Sequence, residues 1–454
     1  MTVLGLGIEG VDVARYAATH GAAAVTVYDD KSLASLQDRL GQLAGLPIDV
    51  RAGGGAVDLS STDILFASQS VPLSHPAIAK AYEHGVPVRS MTGTFMDLCP
   101  GPVIGITGSS GKTTTTSLVA HMFARDGRPL RLGGNIGIGL LGLLDGFTEE
   151  TWAVLEISHA QMQLVDKSPH IAAVLNVTPN HLDAFSWDEY VALKQKLVRF
   201  QSADDVAVLN LDNNISAACA ELTPATVAHF SLKDDVPVDG AFVRDGAVFL
   251  RRAQVEEMVL PVSEIPLRGI HNVANVLAAT VITSLAGIDA EAIAAAVRTF
   301  VAVPHRLEVV AEVDGVRYVN DSIASTPERT LAGIRSFNEP LVLLLGGKDK
   351  DLPKEELAEE ALARCSGIVF FGADGPLLEA AVEASAASVA FEERPQTARV
   401  TTLEDAVSAA RDMASPGDVV LLSPACTSFD AYANFEARGE HFRQLVRAMH
   451  AEGG

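Results

Sequence analysis

The chain has 454 residues, nearly half of them apolar and a fifth charged. That length exceeds what one hydrophobic core serves, so two or three folded domains are expected and a disordered chain is excluded. Acidic side chains outnumber basic ones 57 to 34, for a formal net charge of −23. Such a surface repels phosphate backbones, which argues against a nucleic-acid partner and leaves any nucleotide to local backbone donors, a few cations and metal ions. The four cysteines, Cys99, Cys219, Cys365 and Cys426, form no CxxC pair and no metal-ligand spacing, so a reducing, cytoplasmic setting is expected. The opening MTVLGLGIEG reads as a strand and a glycine turn rather than a secretory leader, and the longest apolar runs, such as LVLLL at 341–345, are strand-length. No membrane insertion is expected.

In chain order, the strand VLGLG, a helical stretch to about His20 and the strand AVTVYDD make a βαβ opening. Further strands are predicted at 63–68 and 86–90, closing a first domain over 1–97. A second domain, 98–302, starts on the strand Val103–Thr107 and a helix from Lys112 to about Arg125. Strands follow at 152–158, 171–178 and 205–212. Asp239-Gly240 and Asp245-Gly246 suggest hairpin turns, and helices are predicted at about 272–286 and 290–299. The third domain, 303–454, opens on a hairpin at Asp314-Gly315. The strands LVLLLGG, GIVFFG and DVVLLSPA then alternate with helices at about 353–364, 375–384 and 434–449. The fold class is α/β: three domains, a Rossmann-like first, a phosphate-loop second with a mainly parallel sheet, and a Rossmann-like third.

Thr107-Gly108-Ser109-Ser110-Gly111-Lys112-Thr113-Thr114 sits where a buried strand gives way to a helix. Its glycines let the backbone wrap a phosphate, the first helical amides supply donors, Lys112 suits the β- and γ-phosphates, and the Thr113 hydroxyl suits Mg²⁺. The general phosphate-loop pattern leaves four residues between its glycines, whereas Gly105 to Gly111 leaves five. Gly5, Gly7 and Gly10, with Asp29 or Asp30 ending the next strand, fit a dinucleotide fingerprint. The same turn equally suits the diphosphate of any nucleotide-linked substrate. Glu156 ends a strand where ligands gather in open α/β sheets, and its hard oxygens suit Mg²⁺. His181, at a strand end, is on composition a structural donor as readily as a ligand, and Lys194 reads by periodicity as part of a solvated helix face.

Taken together these motifs resemble the Mur ligase family, whose phosphate loop has the same T-G-x-x-G-K-T-T form, shared with folylpolyglutamate synthases. The resemblance runs in order through GGNIG (133–137), NVTPNHLD (176–183), GIHNVAN (269–275), PHRLE (304–308), NDS (320–322), LLGGKDK (344–350) and LLSPACTSFDAYANFEARGEHF (421–442). The last segment is similar to that of the glutamate-adding branch. What the resemblance implies is an ATP-dependent ligase that adds D-glutamate to UDP-N-acetylmuramoyl-L-alanine through an acyl phosphate, in peptidoglycan precursor synthesis. It implies Lys112, Glu156, His181 and Lys194 as catalytic, with Thr113, Glu156, His181 and a carbamylated Lys194 holding two Mg²⁺ ions. It implies Gly108, Ser109, Ser110, Gly111, Lys112, Thr113, Thr114, Asn272, Asn275, Arg306 and Asp321 for ATP. Gly7, Asp29 and Ser70 serve the UDP moiety, Asn135 and His181 the muramoyl-alanine, and Lys350, Ser428, Phe429 and Phe435 the glutamate. A cytoplasmic monomer is expected.

The chain departs from common family patterns at two places. It reads Glu156-Ile157-Ser158-His159-Ala160-Gln161 for E-x-S-S-F-Q, and Asp321-Ser322-Ile323-Ala324-Ser325-Thr326 for DSKATN. The second departure lies where the amino acid is bound and leaves L-glutamate as the alternative substrate. A folylpolyglutamate-type ligase, a non-catalytic nucleotide-binding module and an NAD dehydrogenase are the competing functions. Cys426 has no base at a spacing that would make it a nucleophile.

Overall fold

Short apolar strands joined by crossover helices build three sheets. The computed structural model describes residues 1–135, 139–180, 185–233, 236–301, 303–386, 390 and 394–453. The first sheet contains β1 (Thr2–Leu4), β2 (Val25–Asp29), β3 (Ile48–Ala52), β4 (Leu65–Ala67) and β5 (Val88–Arg89) in the order 3-2-1-4-5, all parallel. The order reverses between β1 and β4, which opens a crevice at their carboxyl ends. Gly5 takes φ +84°, and a Cβ on Gly10 would stand 1.9 Å from the Gly5 carbonyl oxygen. The glycine turn and its helix, Ile8–Thr19, therefore pack backbone on backbone.

The second sheet holds β6 (Val103–Thr107), β7 (Leu130–Gly134), β8 (Trp152–Glu156), β9 (Ile171–Val174), β10 (Val206–Asn210), β11 (Thr226–Ser231), β12 (Gly240–Arg244), β13 (Ala247–Arg252) and β14 (Val255–Pro261). Their order is 14-13-12-11-10-9-6-8-7, parallel except for the β12–β13 and β13–β14 pairs. The third sheet runs 15-16-20-17-18-19, from β15 (Glu308–Val313) and β16 (Val316–Asn320) through β17 (Leu341–Gly346), β18 (Cys365–Phe371), β19 (Gln396–Arg399) and β20 (Val419–Ala425). Only its β15–β16 hairpin is antiparallel. The three-sheet α/β class matches the sequence expectation. Among the described residues no helix is long and apolar enough to cross a membrane.

The chain divides into two compact units, 1–264 with 274–299, and 265–273 with 300–454. The first unit carries two of the sheets. One buried cluster runs through it from Val3 and Phe95 to Leu140, Leu155 and Tyr190. Polar ties cross the same boundary: Asp12 accepts from the Leu141 and Gly142 amides at 2.7 and 3.2 Å, and Glu9 accepts from Gln161 Nε2 at 3.3 Å. Burial pushes both carboxyls up from their ordinary range.

Two hairpin expectations resolve differently. Asp245-Gly246 and Asp314-Gly315 turn hairpins, each with both residues at positive φ, the geometry a two-residue primed turn requires. Asp239-Gly240 does not, because β12 runs parallel to β11, with Gly240 opposite His229. Gly240 is there for close approach, since a Cβ would lie 1.9 Å from the His229 carbonyl oxygen. The hairpin to β14 turns instead on Ala253 and Gln254, at φ 47° and 72°, residues that carry no turn signature. The edge strands β3, β7 and β19 and the parallel strand β11 also escaped the sequence reading, having short or polar faces.

Gly10→Ala should cost about 3 kcal/mol or more by forcing the turn and its helix apart. Thermal unfolding of the full chain would show this as a lowered midpoint; an unchanged midpoint means the turn yields freely.

Candidate functional site

The strand β6 lies between β9 and β8, so the loop after Thr107 is flanked by the carboxyl ends of both. On the β9 side, Ser109 N–H donates to the Asn176 carbonyl and Ser110 N–H to Asn176 Oδ1, each at 2.9 Å. Asn176 Nδ2 returns a bond to the Ser110 carbonyl at 3.2 Å. Ser109 Oγ donates to the Thr178 carbonyl at 2.9 Å and lies 3.0 Å from the Tyr190 hydroxyl. Gly111, the residue before the helix Lys112–Asp126, takes φ +79°, and a Cβ there would sit 2.3 Å from Asn275 Oδ1. Asn275 also accepts from Thr115 Oγ1 at 3.3 Å.

Lys112 Nζ donates to the Gly108 carbonyl at 2.8 Å, and Lys194 Nζ donates to the same oxygen at 2.9 Å. Lys194 rides the helix Trp187–Arg199, started by a Ser186–Glu189 capping box. It is 1% exposed, with its ammonium 4.8 Å from the centre of the Tyr190 ring one turn earlier. The solvated-face reading of Lys194 is thus corrected: tertiary packing turned that face inward.

On the β8 side, Glu156 is buried. Its Oε1 accepts from Asn135 Nδ2 at 3.0 Å, and its carbonyl accepts from the Asn135 amide at 2.8 Å. Gly134, at φ +94°, lets the two strands close, since a Cβ would stand 2.2 Å from the Glu156 carbonyl oxygen. Glu156 Oε2 is buried and has no hydrogen-bond partner among the described residues. A buried carboxylate oxygen left this way carries the full desolvation cost, and a hard cation is a partner that would remove it. Thr113 is half-buried in the first helical turn, and Thr114 is buried with a hydroxyl that also lacks a partner among the described residues. His181 and Asp183 lie outside the described residues, and among those described no three His, Cys, Asp or Glu side chains cluster as a metal site.

At the crevice between β1 and β4 a cavity of about 370 Å³ is lined by Gly7, Asp29 and Ser70 together, with Lys31, Arg39 and Arg51 among its walls. Asp29 is spent on the turn itself, accepting from the Leu6 and Lys31 amides at 2.6 and 2.8 Å.

In the second unit, Asp321 directly follows β16, with Arg306 nearby in a loop whose flanking residues His305 and Leu307 both have positive φ, 63° and 43°. Backbone strain of this kind in residues other than glycine collects at functional sites. Complete burial pushes the Asp321 carboxyl up to about 7, against bonds from Ser423 Oγ at 2.9 Å and the Leu307 amide at 3.2 Å and the nearby Arg306 and Arg329. Burial, aided by Arg306, drives the His271 imidazole down to about 4. Asn272 is buried and donates to the Arg268 carbonyl at 2.7 Å. The loops after β17 and β20 are zipped by Lys348 and Thr427, each amide donating to the other's carbonyl at 2.9 Å. This brings the Lys350 and Ser428 loops together. Ser428 is buried, Phe435 half-buried, and Phe429 is 69% exposed. Burial pushes the Cys426 thiol up to about 12, which rules against a thiolate nucleophile.

The family model for the Mur ligase middle domain matches residues 106–283, and that for the Mur ligase glutamate ligase domain matches 305–426. The UDP-N-acetylmuramoylalanine–D-glutamate ligase of Symbiobacterium thermophilum is 40% identical over 450 residues, covering 98% of this chain and 97% of that one. The chain belongs to the Mur ligase family. The ligase of the same name from Acetivibrio thermocellus is 38% identical over 99% of this chain and 97% of its own length. Among solved structures, the UDP-N-acetylmuramate–alanine ligase of Thermotoga maritima superposes with a TM-score of 0.61 at 16% identity, covering 98% and 99% of the two chains. The D-alanyl-D-alanyl-adding ligase of Acinetobacter baumannii gives 0.62 at 15% identity, over 98% and 93%. These last two likenesses carry the fold. Mur ligases use ATP, and the loop built around Gly108 has the form that binds its phosphates.

Two residues at this Mur ligase loop went unassigned from sequence. Asn176 holds the loop backbone by both ends of its amide, and Tyr190 touches both Ser109 and Lys194. Tyr190 had one available signal: four residues before Lys194, it shares that helix face.

Because Asp321 binds its proton more tightly folded than unfolded, the stability it contributes is present below its ordinary value of 3.8 and is lost as pH rises toward about 7. Asp321→Asn should flatten the fall in stability between those pH values, read by urea unfolding across the range. A parallel pH profile in the variant would show that Asp321 titrates normally.

Proposed function

We propose that this protein joins D-glutamate to the alanyl carboxyl of UDP-N-acetylmuramoyl-L-alanine, driven by ATP, in cytoplasmic peptidoglycan precursor synthesis, and that it does so as a monomer. The observation that supports this most is the meeting of Lys112 and Lys194 on one carbonyl oxygen of the phosphate loop, in a chain aligned end to end with ligases of that name. Residues 1–97 bind the UDP-linked substrate through Gly7, Asp29 and Ser70. Residues 98–302 bind ATP through Gly108 to Thr114, Asn272 and Asn275, and Asn135 and His181 face the muramoyl-alanine. In residues 303–454, Arg306 and Asp321 serve the nucleotide, and Lys350, Ser428, Phe429 and Phe435 serve glutamate.

A carboxylate and an amine do not condense in water without activation. The γ-phosphoryl group passes to the alanyl carboxylate, breaking its bond to the β-phosphate oxygen and releasing ADP. The glutamate amine then attacks the acyl phosphate, and the tetrahedral intermediate expels inorganic phosphate to leave the amide. Lys112 turns from the Gly108 carbonyl to the phosphates and holds their charge, while the first-turn amides bind their oxygens. The unsatisfied Oε2 of Glu156 fits a Mg²⁺ site, with Thr113, Lys194 as a carbamate and His181 as further ligands. Two Mg²⁺ ions, when bound, offset the negative charge that gathers between phosphate and carboxylate. Carbamylation suits Lys194 physically. Two ammonium groups around one oxygen repel, and converting one to a carbamate replaces that repulsion with attraction.

Purified protein with ATP, Mg²⁺ and UDP-N-acetylmuramoyl-L-alanine should release ADP with D-glutamate and not with L-glutamate; equal rates with the two enantiomers would overturn the assignment of substrate. Lys194→Ala should be inactive and regain part of its rate in added acetate. Full activity without acetate would remove the carbamate from the mechanism.

A further inference from the structure

Among the described residues Arg438 is the largest fully buried side chain, 1% exposed, and it sits in the first turn of the helix Phe435–Gly453. A cation there faces the positive end of the helix dipole. None of the groups it bonds carries a charge. Nε donates to Ser322 Oγ at 3.0 Å, Nη1 to the carbonyls of Thr427 and Gly346 at 3.2 and 3.4 Å, and Nη2 to those of Ser322 and Cys426 at 2.9 and 3.1 Å. None of the five acceptors is a carboxylate. Asp430 is the acid whose field reaches it, and Asp430 Oδ2 already accepts from the Ala373 amide at 3.1 Å. Burial lowers the guanidinium only to about 10, so it stays charged at neutral pH. A buried charge that no carboxylate bonds is costly, and a ligand of opposite charge in the working cycle would lower that cost.

The acceptors show where that happens. Ser322 follows β16, Gly346 ends β17, and Cys426 and Thr427 follow β20; these three strands are adjacent in the sheet, in the order 16-20-17. One side chain therefore stitches together three loops at the carboxyl edge, the edge where open α/β sheets bind ligands. Ser322 Oγ passes the tie on, donating to the Phe435 carbonyl at 2.8 Å. Gly347, at φ +123°, leaves room for it, since a Cβ there would lie 2.9 Å from Arg438 Nη1. All five N–H groups of a guanidinium are used, so Arg438 has no donor left for a ligand.

We propose that Arg438 is a positioning residue for the incoming amino acid. It fixes the Ser322, Gly346 and Cys426–Thr427 loops, and its buried positive charge favours a carboxylate of glutamate bound by the groups those loops present. This rests on the reading of residues 303–454 as the glutamate-binding part, and it adds a residue and an electrostatic role to that reading.

The test is steady-state ADP release by the full-length chain, varying D-glutamate, ATP and UDP-N-acetylmuramoyl-L-alanine in turn. Arg438→Gln removes the charge and should raise the KM for glutamate by about tenfold or more, a shift expected when a buried charge is lost opposite an anion. The KM values for ATP and the UDP-linked substrate should hold. Arg438→Lys keeps the charge with fewer donors and should recover most of the glutamate affinity. Should Arg438→Gln fail to fold by circular dichroism, Arg438→Lys and Ser322→Ala decide, each with a smaller rise confined to glutamate. A glutamate KM unchanged in the folded variants, or one raised equally for all three substrates, overturns the proposal. Wild-type protein that releases no ADP with glutamate instead overturns the ligase reading itself, a separate outcome.

Discussion

Two ammonium groups, those of Lys112 and Lys194, meet at the carbonyl oxygen of Gly108, and the contacts around the loop hold that atom in place. Lys112 reaches it from the helix that the loop itself begins. Lys194 reaches it from a helix placed by β9, by a capping box and by the Tyr190 ring. Were the loop free to rotate its Gly108–Ser109 peptide, both cations would lose their shared acceptor and the phosphate site its preorganisation. From the β9 side, the Asn176 side chain, bonded to the amide and the carbonyl of Ser110, and the ties of Ser109 to Thr178 and Tyr190 block that rotation. The strand order 9-6-8 is what makes this possible. A loop leaving the middle of three parallel strands finds a partner on each side, Asn176 from one and, from the other, the Ile157 carbonyl, which accepts from Thr107 Oγ1 at 2.8 Å.

Close backbone approach is the second constraint, and it explains several glycines better than turn chemistry does. Gly10 lets a helix start against Gly5, Gly134 lets Asn135 fold over Glu156, and Gly111 leaves room for Asn275. At each a methyl group would meet an oxygen at 2.3 Å or less. At these points a carbonyl or an amide oxygen sits where a side chain would stand, so the backbone itself lines the site.

The sequence made the strand-to-helix character of 103–126, the primed turns at 245 and 314 and the α/β class legible, because each rests on local chemistry: an apolar run, a glycine at positive φ, a repeated alternation. Motifs pointed to Gly7, Asn135, Glu156 and Asp321 as candidate site residues. What stayed hidden depends on contacts across the chain. Nothing near Lys194 announces that its face turns inward, because burial there is decided by Tyr190 meeting Ser109, 81 residues away. Asp239-Gly240 carries the signature of a turn, yet its glycine answers to a neighbouring strand. Ala253-Gln254 turns a hairpin with no signature, since β13 and β14 pair strongly enough to impose left-handed angles on ordinary residues. Arg438 reads as one more surface arginine on an amphipathic helix until its five acceptors are seen.

A chain with a net charge of −23 that handles ATP works against its own long-range field. At physiological ionic strength that field is screened within about 8 Å, so what an anion meets on arrival is local. The cavity at the first sheet has Lys31, Arg39 and Arg51 in its walls, the phosphate loop has Lys112, and the third sheet holds Arg438 beneath its carboxyl edge. Several acids near these sites are bonded at least in part elsewhere: Asp29 to the glycine turn, Asp430 to Ala373, Glu156 in part to Asn135, while Arg51 pairs with Asp49 at 2.9 Å. The acidic surplus lies outside these sites, where it keeps the protein soluble and discourages polyanions. Recognition of small anions therefore rests on desolvated cations and amides at the strand ends. That is why single well-placed side chains such as Lys112 and Arg438 can outweigh a surface charge of the opposite sign.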